Sequence, residues 1–450
     1  MKLQFLSTLL PQQEGPNKIC SLASSPNGVK LAVVGRDRII TLVDEKGEVK
    51  DRFSSKPLDQ KYGKKSYIIK SICFSPDSSK LAVAQTDNVI YVFKIGETWK
   101  EKKVIVNKLP QTSAATVVEW PFDDKLLVGL ADGKLRVGLL SSNKCSSLYK
   151  TDEPVVSISI NPRKTAFVSG HHDGSIIHFT FSTKTQVKLC SVPSAAFCLA
   201  YTAHGIIAVS DRRVFSYTEN GVVQQQFDFT SQNEKEFSAI TTDITGSNVA
   251  LGSFDRLRLF SWSFRRGAWE EGNTLDIKNL YVCSALCWKS DGSTLYCGTL
   301  CGGVIAVDCC LRRGMLKSRF ETTYIAPSHV IVRDVVTDTK TNLVSQKGYA
   351  IENLKVMGKD RYVVAFINSS LILADNQTGL SSEIEWQSGG NEKFYFDFEK
   401  VCIIVNAGEL TIVEYGIDGA LGWVRTELTS LHLLSVSVSS DASVWLWSRK

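Results

Sequence analysis

The sequence holds no run approaching the ~18 uninterrupted apolar residues that a membrane helix needs. Its start, MKLQFLSTLLPQQ, is broken by Gln4, Ser7 and Thr8, which argues against a secretory signal. No glycine-rich phosphate loop follows a strand and opens a helix, and no Gly-x-Ser-x-Gly elbow is present. The usual nucleotide-binding and serine-hydrolase signatures are therefore missing. There is no basic stripe and no aromatic stacking motif of the RNA-binding kind, so nucleic acid is not an expected partner. Neither sign of charge dominates: 52 Lys+Arg against 46 Asp+Glu leave a net +6. Histidine is scarce, at six residues, and the one dense cluster of reactive side chains is His171-His172-Asp173. Neighbours on a strand point to opposite faces, so both histidines could hold one metal only from a turn. The cluster falls where other repeats carry their turn, and we read it as one. The pairs Asp123-Asp124 and Glu270-Glu271 lie in expected loops with nothing to shift their pKa. No catalytic residue, cofactor or metal is expected, and the chain reads as a non-enzyme.

Twelve cysteines are scattered through apolar runs, including the adjacent Cys309-Cys310. Without a signal they are expected to be free thiols in a reducing compartment. Cys283, Cys287, Cys297 and Cys301 mimic two metal-ligand pairs. The first two fall on one expected strand, Cys297 on the next and Cys301 in a turn, so no short knuckle presents them together.

What the chain does contain is a repeated phrase, clearest over residues 71–95. Ile72, Cys73 and Phe74 end in the turn Ser75-Pro76-Asp77. A second apolar run at 81–84 leads into Thr86-Asp87-Asn88, and a third at 89–93 is β-branched and aromatic. Each run is too short for a helix and is bounded by breakers. The third is apolar at consecutive positions, which predicts burial of both faces. Replacing Phe74 with Ala is expected to cost about 3–5 kcal/mol.

The phrase recurs at 27–44, 123–140, 165–181, 204–217, 247–262 and 291–308. Its second apolar run, marked by Leu31, Leu81, Leu127, Phe167, Ile207, Val249 and Leu295, returns every 40–50 residues. An Asp opens the next turn in six units: Asp37, Asp87, Asp132, Asp173, Asp211 and Asp255. The seventh has Cys301-Gly302-Gly303. Multi-stranded repeats of this length mark a β-propeller, in which stacked blades bury what one blade cannot. The expected fold is all-β: a seven-bladed WD-repeat β-propeller over 1–313, with residues 3–10 as the outer strand of its last blade. Over 314–450 an incomplete second β-propeller of two to three blades is expected. Strands are read at 330–336, 341–345, 353–357, 362–366, 371–374, 382–386, 394–398, 401–405, 410–415, 423–427 and 433–438. This part is expected to be the less stable, with proteolysis leaving a core that ends near residue 315.

Positive charge gathers in a few loops: Lys61, Lys64 and Lys65; Trp99 with Lys100, Lys102 and Lys103; Arg265 and Arg266 with Trp269; and Arg312 with Arg313. Solvated blade rims account for such runs. Contact with anionic lipid or an acidic partner is the functional reading. The candidate contact residues are Lys64, Lys65, Trp99, Lys100, Lys102, Lys103, Arg265, Arg266 and Trp269. Two expectations stand for Trp99: that it packs on a neighbouring blade's outer strand, or that it sits free of its own blade as a contact residue, so that its loss would leave the melting temperature nearly unchanged.

Several irregular strings go beyond repeat grammar: KPLDQKYGKKSY at 56–67, the stretch 74–114, GSFDRLRLFSW at 252–262, GTLCGGVIAVDCCLRR at 298–313, GGNEKFYF at 389–396 and NAGELTIVEYG at 406–416. Together they resemble the N-terminal part of the intraflagellar transport protein 172 family. The resemblance runs to about residue 437, after which SSDASVWLWSRK departs from it. It implies two propellers followed by a helical solenoid, membership of transport complex B, and no catalytic residues. It implies as partners other complex B subunits, among them one with a calponin-homology domain, and an anionic membrane surface. It places the chain in the cytoplasm and at the cilium or flagellum and its basal body. A vesicle-coat-like trafficking adaptor is the competing expectation, since coat subunits also join propellers to solenoids.

Overall fold

The structure, a computed structural model, describes all residues except 13–16, 59–66, 97, 98, 100, 102, 388, 389, 397–399, 407, 426–431, 439–443 and 450. Among the described residues every regular element is a β-strand, and every pairing is between antiparallel strands. The chain divides into two compact units, Met1–Cys310 and Leu311–Lys450.

In the first unit the described residues form seven four-stranded sheets. Six are built from consecutive strands, over 19–54, 69–110, 115–150, 155–191, 198–228 and 239–276. The seventh joins Cys283–Trp288, Thr294–Thr299 and Val304–Asp308 to Gln4–Leu10, the first strand of the chain. The strand expected over 3–10 thus pairs where the sequence placed it. Leu3 anchors it: its N–H donates to Asn273 Oδ1 and its carbonyl accepts from Asn273 Nδ2, each at 2.8 Å.

Burial follows the apolar pattern. Leu31–Gly35 and Ala166–His171 are buried at every position, as second strands between two neighbouring sheets must be. Fourth strands such as Val49–Ser54 (VKDRFS) alternate exposed and half-buried, because they carry one packed face at the rim. One hydrophobic cluster fills each gap between sheets. The first two sheets share Val34, Ile40, Ile69, Leu81 and Val83. The seventh and first share Tyr296, Val304 and Ala306 with Ile19, Leu31 and Val33, which returns the packing to its start.

The innermost strands also clasp one another. Ile72 N–H donates to Ser21 Oγ at 3.2 Å, and Val118 N–H to Ser71 Oγ at 3.3 Å. Across the seventh-to-first junction Ser284 Oγ donates to the Ile19 carbonyl at 2.8 Å, and Ser24 N–H to Cys287 Sγ at 3.2 Å. Phe74 is 6% exposed in the first cluster. Phe74→Ala is therefore expected to cost about 3 kcal/mol, at the low end for a buried aromatic because the ring keeps some solvent. A denaturant titration showing under 1 kcal/mol would place it outside the core.

The second unit begins at Leu311, whose N–H donates to the Tyr324 carbonyl at 2.7 Å. Its first sheet is Arg312–Leu316, Phe320–Ala326, His329–Asp334 and Lys340–Val344. The sequence reading supplied only the last two of these strands. Two more four-stranded sheets follow over 351–385 and 393–425, then the pair His432–Val438 and Val444–Arg449. A side-chain motif repeats here. Arg319 forks onto Asp334 at 3.0 and 2.6 Å, and Arg361 onto Asp375 at 3.0 and 2.7 Å. The guanidinium holds the Asp334 carboxyl far below the usual range.

Candidate interaction surface

Consecutive antiparallel strands send first-to-second and third-to-fourth turns to one end of a sheet, and second-to-third turns to the other. The six repeat aspartates all occupy second-to-third turns. Asp37 accepts from Ile39 N–H at 3.1 Å, Asp132 from Lys134 N–H at 3.3 Å and Asp173 from Ser175 N–H at 2.9 Å. These are Asx turns, the local bond that makes Asp a good turn opener. Asp87 accepts from Leu58 N–H at 2.8 Å, while Asp211 and Asp255 pair with the arginine that follows each. His171 closes its strand fully buried, with Nε2 3.0 Å from Ser169 Oγ, and only His172 and Asp173 enter the turn.

The Trp99 loop lies at the other end, between the third and fourth strands of the second sheet. Lys100 and Lys102 fall outside the described residues, as do Lys64 and Lys65. Trp99 is not free. It is half-buried against the cluster between the first two sheets, and Lys30 Nζ lies 5.0 Å from its ring centroid. Lys30 is 2% exposed and donates to the Gly96 carbonyl at 2.7 Å. Trp99 covers that buried ammonium, so Trp99→Ala should lower stability by about 1–2 kcal/mol rather than leave it unchanged. A melt indistinguishable from the parent would restore the free-loop reading. Lys103 pairs with Asp51 and sits 5.7 Å from the Phe53 ring, on the outer strand of the first sheet.

Arg265 and Arg266 occupy the equivalent turn of the sixth sheet and are exposed, Arg266 reaching Glu270 at 3.2 Å. Trp269 is not at the surface. It is 2% exposed, on the strand Ala268–Asp276, with its ring 5.6 Å from Trp262 and 6.2 Å from His204. Its backbone is clamped by Gln225, which accepts from its N–H at 2.7 Å and donates to its carbonyl at 3.0 Å. The cause is strand pairing: Trp262 and Trp269 are cross-strand partners flanking the turn, so Trp269 faces the core. The two loops share an end of their sheets, yet sheets seven and one stand between sheets six and two. The structure therefore does not merge these residues into one patch.

Against known proteins, the family described as WD domain, G-beta repeat matches residues 55–94, the stretch holding the first three strands of the second sheet. The first unit is a WD β-propeller fold. Over 440 residues the chain is 62% identical to the intraflagellar transport protein osm-1 of Caenorhabditis elegans, covering 98% of this chain and 25% of that protein. Its homologues are intraflagellar transport 172 proteins. The intraflagellar transport protein 172 homolog of Mus musculus is 48% identical over 446 residues, covering 98% of this chain and 26% of that protein. Intraflagellar transport protein 172 of Chlamydomonas reinhardtii is 37% identical over 462 residues, covering 100% of this chain and 26% of that protein. The chain thus spans about a quarter of the length of these intraflagellar transport 172 relatives.

Three groupings were not expected from the sequence, the first of them between two cysteines it had noted separately. Cys283 and Cys297 are fully buried with their sulfurs 3.1 Å apart, brought together by adjacent strands; burial raises the Cys283 thiol. Among the described residues no three His, Cys, Asp or Glu side chains converge as a metal ion would require. Glu234, Arg258 and Glu271 form an ion cluster in the sixth sheet. Glu119 is half-buried on the innermost strand of the third sheet, Ala115–Phe122. Desolvation there pushes its carboxyl up to about 7. A raised carboxyl binds its proton more readily folded than unfolded, so stability falls as pH rises from its ordinary 4.5 through about 7. Glu119→Gln, a permanent mimic of the protonated form, should raise the melting temperature at pH 8 and barely change it at pH 5. Equal effects at both pH values would mean an ordinary carboxyl.

Proposed function

We propose that this chain serves intraflagellar transport as a non-enzymatic scaffold of complex B, contributing to the assembly of cilia and flagella. The supporting observation is likeness along almost the whole chain, at 37–62% identity, to proteins named for that transport. A ring of sheets with turns at both ends offers broad contact surfaces on a rigid frame. Its partners are other complex B subunits, first the calponin-homology subunit implied by the family resemblance, and second an anionic membrane surface. It works in the cytoplasm, at the basal body and in the cilium. Of the contact residues, Arg265 and Arg266 are exposed, Arg266 beside Glu270. Lys64, Lys65, Lys100 and Lys102 remain proposed on sequence grounds. The test is a tagged 450-residue chain in ciliated cells. Enrichment at the ciliary base and axoneme, with co-purification of the calponin-homology subunit, is expected. Diffuse distribution without co-purification would sink the proposal.

A further inference from the structure

On the innermost strands, register shifts leave one residue unpaired near the start: Cys20 between Ile19 and Ser21, Lys70 between Ile69 and Ser71, Thr116 between Ala115 and Val117, and Ser284 between Cys283 and Ala285. A bulge of this kind re-aims its extra side chain. Thr116 and Ser284 use it to clasp the next sheet, donating to the Val155 and Ile19 carbonyls at 2.6 and 2.8 Å. Cys20 and Lys70 do otherwise. They line a cavity of about 310 Å³ with Lys18, Arg36, Ile68 and Leu300. That is near the lower end of the roughly 300–1,000 Å³ common for ligand pockets.

The cavity joins the seventh, first and second sheets at the end bearing the second-to-third turns, which supply Arg36 and Leu300. Its charge is one-sided. Lys18, Arg36 and Lys70 are exposed, and none of the three forms an ion pair among the described residues. All three line the one cavity beside the half-buried Cys20, whose thiol burial pushes up against the pull of these cations. Asp37 stands at the rim, its carboxylate engaged by Ile39 N–H at 3.1 Å and Asn17 Nδ2 at 3.5 Å. Ile68 and Leu300 add apolar wall, and Leu300 is 41% exposed.

We propose that this cavity binds an acidic peptide segment of a partner protein, a carboxylate meeting Lys18, Arg36 and Lys70 while a neighbouring apolar side chain lies on Ile68 and Leu300. A bare inorganic anion would leave the apolar wall unused, and a flat bilayer face would not fill a recess formed between three sheets. The proposal deepens the scaffold reading by giving a partner's chemistry. Peptide binding and ciliary localisation are separate readouts, so either can fail alone.

The test uses the full chain and a fluorescein-labelled Glu-Leu-Glu-Leu-Glu-Leu peptide, read by anisotropy. Binding should weaken as salt rises. Arg36→Glu and Lys70→Glu should each weaken it about tenfold or more, whereas Lys144→Glu, an exposed charge on the third sheet, should not. The peptide should protect Cys20, but not Cys145, from N-ethylmaleimide, as read by peptide mapping. Melting curves of the three exposed charge variants should match the parent, which keeps folding out of the comparison. Failure to bind, equal binding of a Gln-Leu-Gln-Leu-Gln-Leu peptide, or binding indifferent to Arg36 and Lys70 would overturn the proposal. Phosphatidylserine vesicles that bind through Arg36 and Lys70 while the peptide does not would overturn it in favour of a membrane headgroup.

Discussion

Glu234→Ala is expected to destabilise the first unit by about 3–4 kcal/mol, because it strands a buried guanidinium. Glu234 lies in the link between the fifth and sixth sheets and is 2% exposed; Arg258, on the sixth sheet, is 5% exposed. Glu234 Oε2 sits 2.5 Å from Arg258 Nε, and its Oε1 accepts from Ser253 Oγ at 2.7 Å. Arg258 also bonds Glu271 and lies 4.2 Å from the Phe229 ring centroid, so the cluster pins residues 229–234 to the sheet. Alanine removes one carboxylate and leaves Arg258 with the more exposed Glu271. That remaining partner keeps the loss from reaching the upper end for a broken buried pair. The double variant Glu234→Leu with Arg258→Met should recover most of the loss, since buried ion pairs are often replaceable by apolar side chains of similar volume. Equilibrium denaturation of the singles and the double checks this. A Glu234→Ala loss under 1 kcal/mol would mean that the pair is solvated, and a double variant worse than the single would mean that the charges do more than satisfy each other.

The repeat was legible because each second strand is apolar at consecutive positions between two turn signals, a pattern only a strand buried on both faces needs. Leu31–Gly35 and Lys80–Gln85 show it plainly. Strands without that pattern were lost. Arg312–Leu316 reads as a basic loop because four of its five residues are exposed, and Phe320–Ala326 is interrupted by Glu321, Thr322 and Thr323. The Arg319–Asp334 and Arg361–Asp375 forks become visible only once their strands are paired. The same holds for Cys20 and Lys70, since a bulge is a property of register and not of composition. The charged loops could be found in the sequence, but their occupancy could not. Lys103 is matched to Asp51, a residue on another sheet.

Trp269 shows why proximity in sequence misleads. Following Arg265, Arg266 and Gly267, it reads as an aromatic beside cations on a loop. The turn ends at Gly267, and Ala268 already pairs with Ser263. The indole then packs with Trp262 and His204, in the cluster that fills the gap between the fifth and sixth sheets. Trp269→Ala is expected to cost about 3–5 kcal/mol, the transfer of a large side chain plus the cavity it leaves. Trp269→Phe should cost much less. It keeps most of the packing and removes an indole N–H that finds no acceptor among the described residues. Arg265→Glu with Arg266→Glu should change stability by no more than about 0.5 kcal/mol, as for exposed side chains elsewhere. Denaturant midpoints rank the three variants, and anionic vesicle binding at a temperature where all are folded separates packing from contact. The charge reversal should weaken binding, and Trp269→Phe should not. If Trp269→Ala leaves the midpoint in place and binding falls instead, the indole belongs to the surface after all.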